Sequence, residues 1–149
     1  MLRREVATTT TAIAVVTASA ALATSVAPAS NPSNLGLTKQ PYLGVKCSGP
    51  YTNWTGCGRV GIAVWVERRA STIEAQLAGS TVLLNPPPKA AEGRDYWQGF
   101  VHLDLHALGL PAQWFGTTPY KVLDLRLTIT YGSRLERGTL RVVLRPGWG

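Results

Sequence analysis

The sequence predicts an all-β domain, a two-sheet sandwich of about six or seven antiparallel strands, preceded by a signal segment. Three observations carry that prediction. Beyond about residue 40, apolar and polar residues alternate with a period of two in one segment after another, as half-buried strands require. Clusters of Gly, Pro, Asn and Ser separate those segments at short intervals, as turns do. No apolar 3.6-residue period persists long enough after the amino-terminal run to mark a helix.

Met1-Leu2-Arg3-Arg4 forms a basic head, and Val6 to Ala27 is an uncharged run of 22 residues that ends in small side chains, with Ala27-Pro28-Ala29 before Ser30. This is the layout of a cleaved secretory signal, expected over residues 1–29. A run of that length can also span a bilayer, so an uncleaved anchor is the alternative, and membrane contact is expected only in that case. Six threonines and eight alanines make it a poor span and favour cleavage. Residues 30–41 (SNPSNLGLTKQP) lack periodicity and are expected to be a linker, leaving 42–149 as the folded domain.

Tyr42 to Lys46 is expected as a short edge strand. Val60 to Val66 is apolar on both faces, with Val60, Ile62, Val64 and Val66 on one and Gly61, Ala63 and Trp65 on the other, and so reads as a central strand. Thr72 to Leu77 alternates cleanly, and Ala78-Gly79-Ser80 turns it back into Thr81 to Leu84 as a hairpin. Pro86-Pro87-Pro88 cannot donate to a ladder and is expected as a crossing between sheets. Tyr96 to Leu105 resumes alternation, with Trp97, Gly99, Val101, Leu103 and Leu105 on one face. The final hairpin sets Leu123, Leu125, Leu127, Ile129 and Tyr131 against Leu140, Val142 and Leu144, with a loop expected over Gly132 to Gly138.

Cys47 and Cys57 are the two cysteines. Their spacing lacks the close Cys-x-x-Cys arrangement of redox pairs, and two thiolates alone make a poor zinc site. A structural disulfide is expected, closing an eleven-residue loop and, by the chain-entropy argument, removing about 3 kcal/mol of freedom from the unfolded state. A stable bridge of this kind belongs to an oxidising compartment. With the strands and turns in place, residues 42–149 resemble the immunoglobulin-like domains of exported bacterial proteins at the level of architecture. That resemblance implies a two-sheet core, with Tyr120 as a corner tyrosine. It departs from true immunoglobulin domains at Trp65, because both cysteines precede that residue and no inter-sheet bridge can pin it.

Arg3, Arg4 and Glu5 are the charged residues of the signal segment, so the remainder carries 13 Lys and Arg against 7 Asp and Glu. A basic domain outside the cytosol meets acidic partners: an anionic cell-envelope polymer, or another exported protein, rather than nucleic acid. Three groups are candidates for function. Arg126, Arg141 and Arg145 should share the polar face of the final hairpin, where guanidinium forks can take phosphate or carboxylate, and Arg134 and Arg137 near the hairpin tip should extend it. Tyr51, Asn53 and Trp54 lie within the bridged loop, where rigid aromatics with polar neighbours suit binding. Asn53-Trp54-Thr55 also fits the N-glycosylation pattern. His102, Asp104 and His106 share one strand face as metal ligands would, although residues i and i+4 of a straight strand stand about 13 Å apart, so one ion would need the chain to bend.

Enzyme signatures are missing: no Gly-x-Ser-x-Gly elbow, phosphate-cradling glycine loop or HExxH sequence occurs. Glu92 and Asp95 sit in a loop beside Arg94, where solvated carboxylates are expected. No cofactor is expected. The function expected is that of an exported, non-catalytic interaction or structural module at the cell envelope, with a metal-binding protein using the His102-x-Asp104-x-His106 strand as the alternative.

Overall fold

The computed structural model describes residues 29–47, 57–89, 93–110 and 121–147. Among them are seven strands: β1 (Tyr42–Cys47), β2 (Cys57–Val64), β3 (Thr72–Leu77), β4 (Ser80–Leu83), β5 (Trp97–His102), β6 (Lys121–Tyr131) and β7 (Arg134–Pro146). All belong to one sheet, in the order β4-β3-β6-β7-β1-β2-β5. The two outermost strands meet where Asn85 and Gln98 exchange backbone hydrogen bonds in both directions, so the sheet is nearly closed into a barrel. Proline explains why the seam stops there. Pro86, Pro87 and Pro88 follow Asn85 with no N–H to continue the ladder.

The all-β class is as the sequence predicts, whereas the two separate sheets are joined here into one. The long strands β6 and β7, 11 and 13 residues, provide the means. Strands of that length twist and coil enough to serve both sides of a core. Nor are all pairs antiparallel, because β1 and β7 run parallel through Leu43–Leu144, Gly44–Arg145 and Val45–Pro146. That pairing places β1 inside the sheet, between β7 and β2, where the sequence led us to expect an edge. Pro146 is tolerated at the end of this ladder, and the next N–H, that of Gly147, bonds to the Val45 carbonyl.

Alternation does the rest. Leu43, Val45, Ile62, Ile73, Leu125, Ile129 and Leu144 are fully buried on the inner face, each contributing about 1.5–3 kcal/mol by removal from water. The β3–β4 turn falls on Ala78 and Gly79, both with positive φ, which matches the twist of the strands it joins. The loop expected over Gly132 to Gly138 is instead a two-residue turn. Gly132 takes positive φ, and Tyr131 already pairs with Arg134, so β7 begins six residues before Leu140, where its apolar alternation starts.

The segment expected as a linker is packed. Ser30 joins Thr139 of β7 through its backbone N–H and its hydroxyl. A short 3-10 helix, Pro32–Leu35, follows, with the Asn31 side chain accepting from the Ser33 N–H and Gly36 closing it in the left-handed conformation. Leu37 then bridges Val66 beyond β2. The strap thus runs from β7 to the end of β2, and Leu35 and Leu37, 2% and 3% exposed, cover one end of the core. Two buried leucines in a polar stretch leave no period to detect. The signal segment lies outside the described residues, apart from its last residue. Tyr120 and Glu92 lie outside them too.

Candidate functional site

Among the described residues the buried side chains are aliphatic or aromatic and none is charged, so their charged chemistry lies on the outer surface. On the β6–β7 hairpin the buried leucines alternate with Asp124, Arg126, Thr128 and Thr130 on β6, and with Arg137, Thr139, Arg141 and Arg145 on β7. Register sets their order. Thr139 stands directly opposite Arg126, with Arg137 and Arg141 on its two sides along β7. Diagonal neighbours of this kind lie about 7–8 Å apart, within reach of one ligand for side chains as long as arginine. Arg145 continues the line along β7 next to Gly44 of β1.

Arg126 and Arg137 also border one shallow depression of about 380 Å³, with Glu74, Gln76, Thr128 and Thr139. Glu74 and Asp124 are the acidic members of this face. Asp124 is directly opposite Arg141, yet the ion pair between described residues is elsewhere, between Arg134 and Glu136. Arg126, Arg137 and Arg141 therefore keep their guanidinium forks available. Of the expected arginines, the structure brings Arg126 and Arg141 onto one face and extends it to Arg145. Arg137, which the sequence places in a loop, joins them because the turn is two residues long. Of the two tip arginines expected to extend this face, Arg137 does so, whereas Arg134 pairs with Glu136.

Cys47 and Cys57 form the expected disulfide, at the end of the β1–β2 ladder where they pair directly. Gly58 is the extra residue at that point, since Lys46 pairs with Arg59. Tyr51, Asn53 and Trp54 lie outside the described residues. His102, Asp104 and His106 do not converge on one point. His102 ends β5, and the chain leaves the strand in a turn where the Asp104 carboxylate accepts from the Ala107 N–H at 3.1 Å. Among the described residues no three His, Cys, Asp or Glu side chains group to hold a metal ion. Arg59 stands directly opposite His102, a charge that opposes a cation there.

The opposite end of the barrel carries a second cleft, of about 890 Å³, between Glu67, Arg68, Arg69, Pro86, Asp95 and Trp97. Its charges are mixed, and its Asp95 is already engaged. The Trp65 indole N–H donates to Asp95 at 3.1 Å, and Lys39 lies 4.0 Å from the Trp65 ring centre. This end favours no single ligand class. No described helix is long and apolar enough to cross a membrane. Comparison with protein-family models, curated proteins and solved structures found no match for this chain.

Proposed function

We propose that this chain is an extracytoplasmic, non-catalytic β-domain that binds an anionic polymer of the cell envelope through Arg126, Arg137 and Arg141, with Arg145 extending the contact. The observation that carries it is the register of β6 and β7, which aligns Arg126, Arg137 and Arg141 on one outward face, none of the three joining the ion pair between described residues. Guanidinium forks on a rigid sheet face take phosphate or carboxylate oxygens bidentately. The disulfide supports an oxidising setting. Ser30, the first residue left by cleavage after Ala29, is tied to Thr139, so a mature chain starting there keeps its strap.

Titration of the exported protein with a soluble poly(glycerol phosphate) tests it. Binding should weaken as salt rises. An Arg126→Gln/Arg137→Gln/Arg141→Gln variant should bind about tenfold more weakly, since each exposed charge contact is worth about 0.2–1 kcal/mol. Equal affinity in variant and wild type would refute it.

A further inference from the structure

The outer face of β1, β2 and β5 carries a second cationic group that shares no residue with the β6–β7 arginines. Register puts Lys46 of β1 directly opposite Arg59 of β2, and Arg59 directly opposite His102 of β5. Their neighbours Val45, Val60 and Val101 are buried, so alternation turns all three outward, and all three are exposed. Adjacent strands lie about 4.8 Å apart, which sets three basic side chains within about 10 Å on a line crossing the sheet. No acidic side chain shares that row, and none of the three joins the ion pair between described residues.

Like charges placed directly opposite each other destabilise a sheet, so the row is a cost the fold carries. Phe100 offsets part of it. The Arg59 guanidinium carbon lies 4.1 Å from the Phe100 ring centre and Lys46 Nζ lies 5.7 Å from it. Sharing one ring holds the two cations together rather than letting them splay apart. Immediately beyond Lys46, the Cys47–Cys57 bridge ties β1 to β2 and fixes the spacing of the pair.

We propose that Lys46, Arg59 and His102 form a second anion site, which takes phosphate groups of a phosphodiester polymer laid across β1, β2 and β5. Arg59 supplies a fork for two phosphate oxygens, Lys46 a point charge, and His102 an N–H donor. A lipid surface fits less well. The exposed large apolar side chains among the described residues, Leu83, Val122 and Leu135, lie on β4, β6 and β7, and none is in the row.

The ligand class is that of the function proposed above, but the residues are different, and one experiment separates the two. The full exported protein is titrated with soluble poly(glycerol phosphate) at low salt, as wild type, as Lys46→Gln/Arg59→Gln, and as the triple Arg126, Arg137 and Arg141 variant. The expected result is about tenfold weaker binding for the double variant, partial recovery in Lys46→Gln alone, and loss in Arg59→Glu. Wild-type affinity in the double variant overturns the second site, whatever the triple variant does. Weakening in the double variant alone upholds the second site and removes the β6–β7 face. Binding to anionic phospholipid vesicles that exceeds polymer binding and survives the double substitution also overturns it.

Discussion

The hydroxyl of Tyr131 donates a hydrogen bond of 2.8 Å to the carbonyl oxygen of Leu35, 96 residues earlier in the chain. It fastens the amino-terminal strap to the end of β6. Tyr131→Phe should keep the fold and the ring packing but leave a buried carbonyl without its donor, at a cost of about 1–2 kcal/mol. Denaturant unfolding should show a lower midpoint with an unchanged slope. An unchanged midpoint would mean that the strap is not held there.

The same phenol makes stability depend on pH. Burial pushes its pKa up, the Arg68 guanidinium opposes this, and Glu136 and Glu67 add to it. A free tyrosine titrates near about pH 10. The folded state holds the proton more tightly than the unfolded chain, so this stabilisation is fully present below about pH 10. It is lost as pH rises from there through the folded pKa. Wild type should therefore lose stability above about pH 10 more steeply than Tyr131→Phe. Parallel curves would contradict the assignment.

Gly138 is required by the strap. A β-carbon there would stand 2.6 Å from Ser30 Oγ and 2.9 Å from a Leu35 methyl carbon, too close for either to remain. Gly138→Ala should destabilise by about 1–3 kcal/mol through overpacking and should speed proteolytic cleavage between residues 30 and 40. Wild-type resistance to protease in this variant would show that the strap does not pack against β7.

Loss of the bridge should be felt globally. Cys47→Ser/Cys57→Ser frees the ends of β1 and β2 and should lower unfolding stability by about 3 kcal/mol. It should also weaken polymer binding by the Lys46–Arg59 pair, which the bridge holds in register. A double variant as stable as wild type would remove the structural role of the bridge.

What could be read from the sequence was facing. Leu123 to Tyr131 and Leu140 to Leu144 alternate, and Leu123, Leu125, Leu127, Ile129, Tyr131, Leu140, Val142 and Leu144 are buried while Val143, on the other face, is half-buried. Arg126 and Arg141 were placed outward by the same pattern. Strand neighbours were not legible, because alternation says which way a side chain points and nothing about which strand lies beside it. Hence the Leu43–Leu144 parallel pairing and the single, nearly closed sheet are legible only in the structure. The row of Lys46, Arg59 and His102 was hidden for the same reason, since residues 13 and 43 apart in sequence meet only through register. Leu35 and Leu37 leave no signal in the sequence, because two leucines in a strap have no period.

The claim on which the rest depends is that the chain matures outside the reducing cytosol as a domain beginning at Ser30. Intact mass of the exported protein under non-reducing conditions tests it most directly. The predicted result is the mass of residues 30–149 less two hydrogens, and no alkylation without reduction. A full-length product, soluble inside the cell and with both thiols open to alkylation in the native state, would contradict it.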